Sequence, residues 1–118
     1  MFIIKIFLIP FLWILLSTNI SSSQSIELRE TLKNTKTLYN NGKLQEAIYS
    51  AIKAIELSKK DFGENHFYTA TLIENLGIIQ YESLMYKNAE KSFEEVLEIR
   101  KKILRGMRWI AMFHGLMM

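Results

Sequence analysis

Two histidines, His66 and His114, are the only side chains in this sequence whose unperturbed form exchanges a proton near neutral pH. A metal centre needs further ligands around one of them, and no partner stands at ligand spacing. Cysteine is absent, which removes thiolate chemistry and any disulfide framework. The densest carboxylate group is Glu94, Glu95 and Glu98, within one helical turn. Paired carboxylates of this kind do acid–base work when buried. On a helix they make a solvated face, and here Lys91 and Lys102 stand three and four residues away to pair with them. No Gly-rich phosphate loop, H-E-x-x-H or G-x-S-x-G occurs. With no nucleophile–base set to assemble, neither catalysis nor a cofactor is expected.

The elements that carry these residues read as four helices. From Ser25 to Leu104 there is no proline, and glycine occurs only at 42, 63 and 77. Apolar residues recur at helical spacing throughout. The first stripe is Leu28, Leu32, Thr35, Leu38 and Tyr39, ended by Asn40-Asn41-Gly42. The second is Leu44, Ala47, Ile48, Ala51, Ala54 and Ile55, closing in Lys59 and Lys60, which suit the negative end of a helix dipole. Residues 61–65, Asp-Phe-Gly-Glu-Asn, read as a loop. The third stripe is Ala70, Ile73, Leu76, Gly77, Gln80, Tyr81 and Leu84; the fourth is Tyr86, Ala89, Phe93, Val96, Leu97 and Ile103. No stretch alternates with period two long enough to make a strand.

Length and charge bound the rest. The 118 residues suffice for one small domain. Net charge is +3, and removing residues 1–23 takes away only Lys5, leaving +2, too little to imply a nucleic-acid partner. Lys5 precedes an unbroken apolar run from Ile6 to Leu16, followed by Ser17, Thr18, Asn19 and the serines 21–23. That is the plan of a secretory signal with cleavage after Ser23. The run is shorter than the roughly 20 residues of a spanning helix. The expected organisation is therefore a signal over 1–23, a helical domain over 24–106 and a tail over 107–118. A secreted or lumenal protein follows, or a membrane-anchored one if residues 2–16 are retained; a membrane partner is expected only in that second case.

A shift of 42 residues lays the first two helices on the last two. Tyr39/Tyr81, Ala47/Ala89, Ser50/Ser92, Glu56/Glu98, Lys59/Lys101 and Lys60/Lys102 are identical, and Leu44/Tyr86, Ala51/Phe93, Ala54/Val96 and Ile55/Leu97 stay apolar. A repeated helical hairpin is the economical explanation.

The stretch Gly42-Lys43-Leu44-Gln45-Glu46-Ala47 resembles the G-x-[Y/L]-x-E-A turn of the tetratricopeptide repeat. Asn75-Leu76-Gly77 resembles the N-L-G of its first helix. Residues 61–70, DFGENHFYTA, resemble the L-G-x-x-H-P-x-T-A linker of the 42-residue subclass found in kinesin light chains. Phe67 stands in place of that linker's proline, and Asn34-Thr35 in place of the Leu-Gly of the first repeat. The resemblance covers about 26–105. It implies an all-α fold: antiparallel helix hairpins stacked as a short right-handed α-solenoid of about two repeat units. It gives His66 a helix-start role. It places Ala47, Ala89 and Gly77 at close helix crossings, where a bulky side chain costs ~1–3 kcal/mol.

The resemblance also implies a function. Stacked hairpins line a concave groove with their first helices, and such grooves bind peptides or helices of protein partners. In this register the groove residues are Arg29, Lys36, Tyr39, Thr71, Asn75, Ile78, Tyr81 and Glu82, with Asn75 placed to clamp a ligand backbone. The open ends of two repeats offer a second course, self-association or a structural scaffold. The tail, MRWIAMFHGLMM, stands where a third linker is due. It reads as a capping helix over the second hairpin, as a membrane- or partner-facing patch beside the basic run 100–108, or as a truncated third repeat.

Overall fold

The computed structural model describes residues 26–117, so the signal or anchor expected over 1–23 lies outside the described residues. Helix α1 occupies 26–40, α2 Leu44–Phe62, α3 Phe67–Glu82 and α4 Tyr86–Met117. No strand occurs among the described residues.

The repeat is written into the backbone of the turns. After α1, the Gly42 N–H donates to Tyr39 O at 3.0 Å and the Lys43 N–H to Leu38 O at 2.9 Å. After α3, the Leu84 N–H donates to Tyr81 O at 3.0 Å and the Met85 N–H to Gln80 O at 2.9 Å. Every donor and acceptor is displaced by 42 residues. Both are Schellman caps, which need a left-handed residue at the turn. Gly42 supplies it at φ +74°, and Leu84 adopts it at φ +63°. A side chain in that conformation costs roughly 1 kcal/mol, and Leu84 recovers little by packing because it is 73% exposed. Leu84→Gly is therefore expected to raise stability by about 0.5–1 kcal/mol, read as a higher urea midpoint at unchanged slope.

The second connection differs from its sequence reading. Asp61 and Phe62 belong to α2, and the break falls at Gly63, whose φ of +98° a right-handed helix cannot hold. Thr69 and Ser58 are fully buried and their hydroxyls lie 2.8 Å apart. Thr69 spends its one proton on Gly63 O at 2.9 Å, so Ser58 must donate to Thr69. The pair ties the end of α2, the linker and the start of α3 together. His66 caps α3: its Nδ1 accepts from the Tyr68 N–H at 3.0 Å.

Helix α3 packs on both α2 and α4. It buries Leu72 and Ile79 as well as the expected Ala70, Ile73, Leu76, Gly77 and Gln80. The expected single stripe was thus too narrow for a central helix. Ala47 and Ala89 are buried, as close crossings require. On α4 the buried residues are Ala89, Ser92, Val96 and Ile99, whereas Tyr86, Phe93 and Leu97 of the expected stripe are largely exposed. Tyr86 meets the edge of Tyr81 and Phe93 lies beside Gly77 of α3, but neither is covered on its outer side. Tyr81 and Leu84 are likewise exposed.

Of the four ion pairs among the described residues, three cross between helices, Lys53 with Glu27 at 3.2 Å among them, and one runs along α4. Lys59 pairs with Glu95 at 3.6 Å and Arg100 with Glu74 at 2.6 Å, while Lys101 pairs with Glu98 at 3.6 Å. Lys91 and Lys102 are therefore not the partners of the Glu94–Glu98 run among these pairs. Such exposed pairs contribute at most ~1 kcal/mol each, and they specify register more than stability.

Residues 107–117 do not fold back as a separate capping helix; they continue α4. No proline interrupts them, and Gly106 keeps a helical φ. Every residue from Leu104 to Gly115 is exposed. Deleting 107–118 is accordingly expected to leave the melting temperature within about 4 °C, since surface changes away from packed features cost no more than ~0.5 kcal/mol. Thermal unfolding followed by circular dichroism checks this, and a large drop would restore the cap.

Candidate functional site

A groove of about 610 Å³ lies between α1 and α3 with α2 as its floor. Helix α1 contributes Leu32, Thr35, Lys36, Tyr39 and Asn40, the spacing of one helical stripe. Helix α3 contributes Tyr68, Thr71, Leu72, Asn75, Ile78 and Ile79, and Ala51 and Ala54 of α2 close the bottom. Those two alanines are small enough to leave the space open; their 42-residue counterparts are Phe93 and Val96.

Five of the eight residues expected from sequence line this groove: Lys36, Tyr39, Thr71, Asn75 and Ile78. Arg29 is exposed and does not line it. Tyr81 turns aside to meet the edge of Tyr86, with ring centroids 5.2 Å apart. Glu82 stands at the margin, where its Oε1 accepts from the Tyr39 hydroxyl at 2.9 Å. That hydrogen bond, with some burial and the carboxylate's charge, holds the Tyr39 phenol above its ordinary pKa, so it stays a donor. Sequence reading missed Leu32, Asn40, Tyr68, Leu72 and Ile79. The i, i+3, i+4 spacing from Lys36 and Asn75 points to most of them.

The polar atoms of the groove are unequal. Thr71 donates back to Phe67 O at 2.9 Å, and Thr35 to Thr31 O at 2.8 Å, so both protons are spent inside the chain. The Asn75 amide and the Lys36 ammonium engage no described residue by hydrogen bond or ion pair. Lys36 is the one charged residue of the lining. The surface is thus an apolar trough in which two amides, Asn40 and Asn75, and one cation, Lys36, are engaged by no described residue. No cluster of three metal-ligating side chains occurs among the described residues.

The match to a family model decides the relationship: the model described as Tetratricopeptide repeat covers residues 36–102, more than half of the chain. The chain belongs to the tetratricopeptide repeat family. The matched span of this repeat protein begins within α1 and runs through the buried part of α4, so it contains the groove residues Lys36, Tyr39, Thr71, Asn75 and Ile78. It supports the family, and does not single out the kinesin-light-chain-like subclass. Tetratricopeptide repeats are in general protein-interaction modules. No curated protein and no solved structure matched this chain.

Proposed function

We propose that this tetratricopeptide repeat protein is a non-catalytic module that holds an extended peptide or a short helix of a partner protein in the α1–α3 groove. The observation that carries this reading is the groove itself, about 610 Å³, apolar at its floor and with the Asn75 amide unspent. Cavities of this size bury a few side chains. The amide both donates and accepts, so it suits a ligand main chain in extended form. Leu72, Ile78 and Ile79 supply the apolar contact that gives such a ligand affinity. The 42-residue spacing and the linker around His66 favour the kinesin-light-chain-like subclass. Residues 1–23 read as an export signal, or as a membrane anchor if residues 2–16 are retained, and either reading favours a partner outside the cytosol.

The test is selection of a random peptide library on the full chain, followed by calorimetry of the selected peptides. Asn75→Ala is expected to weaken them by about tenfold, the loss of one well-placed hydrogen-bonding group. Lys91→Ala, on the far face, is expected to change nothing. Peptides that bind both variants as tightly as the parent chain would remove the groove from the account.

A further inference from the structure

The segment of α4 beyond the packed domain carries a second surface, which shares no residue with the groove. Residues 104–117 extend for roughly 20 Å at 1.5 Å per residue. Trp109 is 70% and Phe113 66% exposed, and Leu104, Met107 and Ile110 are exposed beside them. At 100° per residue these five occupy an arc of roughly 220°. Lys101, Arg105 and Arg108 fall together in the remaining arc, with Met112 among them. No acidic residue occurs after Glu98. We infer that this segment docks on an anionic lipid surface, lying along the interface with its aromatic side down and its arginines at the headgroups.

Three observations choose that occupant. A second copy's tail would cover the apolar arc but leave Arg105 and Arg108 without a counter-charge, since no acidic residue occurs after Glu98. The α1–α3 groove is a poor seat, because its one charged lining residue is Lys36. A cleft of about 570 Å³ on the first hairpin holds Glu27, Glu30 and Glu46, but Lys53 in its lining already pairs with Glu27, and only Leu38 and Tyr49 could meet the tail's apolar residues. A cleft also covers one side of a helix, whereas a bilayer interface covers a wide arc at once. Helix α4 is not long and apolar enough to cross a membrane, so the segment lies on the surface rather than through it. Basic residues near an anionic leaflet add to the attraction one by one.

The experiment uses the full chain carrying Trp13→Phe, so that Trp109 is the sole tryptophan and the N-terminal segment is silent in the readout. Vesicles of phosphatidylcholine with one quarter phosphatidylglycerol are compared with pure phosphatidylcholine. Trp109 emission is expected to move to shorter wavelength on the anionic vesicles and to be quenched by brominated acyl chains. Added salt is expected to weaken binding. Arg105→Glu with Arg108→Glu is expected to reduce affinity by ~tenfold or more, with an unchanged far-ultraviolet spectrum in solution. Emission indifferent to anionic vesicles overturns the inference. So does a concentration-dependent oligomer in sedimentation that is lost in Trp109→Ser, because the tail's apolar face is then covered by another copy. Binding to both vesicle types with equal affinity also overturns it, since the arginines then play no part.

Discussion

Truncating Ile73 to alanine is expected to cost about 2–4 kcal/mol, enough to leave a domain of this size close to unfolding at 37 °C. Ile73 sits at the centre of α3, is 2% exposed, and lies on the helix that packs against both α2 and α4. Removing its side chain leaves a space in the core cluster shared by both hairpins, on which the surrounding helices cannot all close. Small domains keep only a narrow margin of stability. For 60–100 residues each kilocalorie moves the melting temperature by roughly 4–8 °C, so a loss of 10 °C or more is expected. Ile78→Ala is the matched control. It removes the same atoms from the same helix, but at a groove position that is 43% exposed. Urea unfolding of the two variants should separate them by more than about 1 kcal/mol. Equal losses would mean that α3 is not the central helix.

Gly77→Thr is expected to destabilise by about 1–3 kcal/mol, and Phe93→Ala to relieve much of that loss. A Cβ on Gly77 would stand 2.8 Å from the Phe93 ring. The ring must swing away, and the replacement is also β-branched within a helix. In the first repeat the corresponding positions hold Thr35 and Ala51, so the larger and smaller partners are exchanged. The Thr35 hydroxyl there meets Ser50 at 2.6 Å, and position 92 is again serine. The double variant thus rebuilds the first repeat's crossing in the second. A double-mutant cycle should give a coupling above about 1 kcal/mol in the favourable sense. Additive losses would show that the two crossings are not built alike.

Asn34-Thr35, which stands in place of the family's Leu-Gly, has a packing account for the threonine: its smaller partner is Ala51. Much else was legible in the sequence. The glycine and asparagine breaks follow from a few neighbouring residues, the 42-residue period from laying the chain on itself, and the capping role of His66 from the resemblance of its linker to that of the family. Five groove residues were legible because α1 and α3 present them on one stripe. What escaped sequence reading is what depends on neighbours. Leu72 and Ile79 are buried because α3 has a helix on either side. Tyr86 and Leu97 are largely exposed because α3 covers only one side of α4. Tyr81 was placed in the groove by its spacing, but Tyr86 draws its ring aside. The capping reading of the tail rested on the open end of a two-repeat stack; with no proline after Gly106, the helix simply continues.

The central claim is that the α1–α3 groove is the binding surface, and a nuclear magnetic resonance titration reads it most directly. Isotope-labelled full-length protein would be titrated with a peptide selected from the random library. The account predicts amide shifts concentrated at Lys36, Tyr39, Thr71, Asn75 and Ile78, with Ile99 to Gly115 unmoved. Shifts confined to α4, with the α1 and α3 resonances unchanged at saturation, would contradict it.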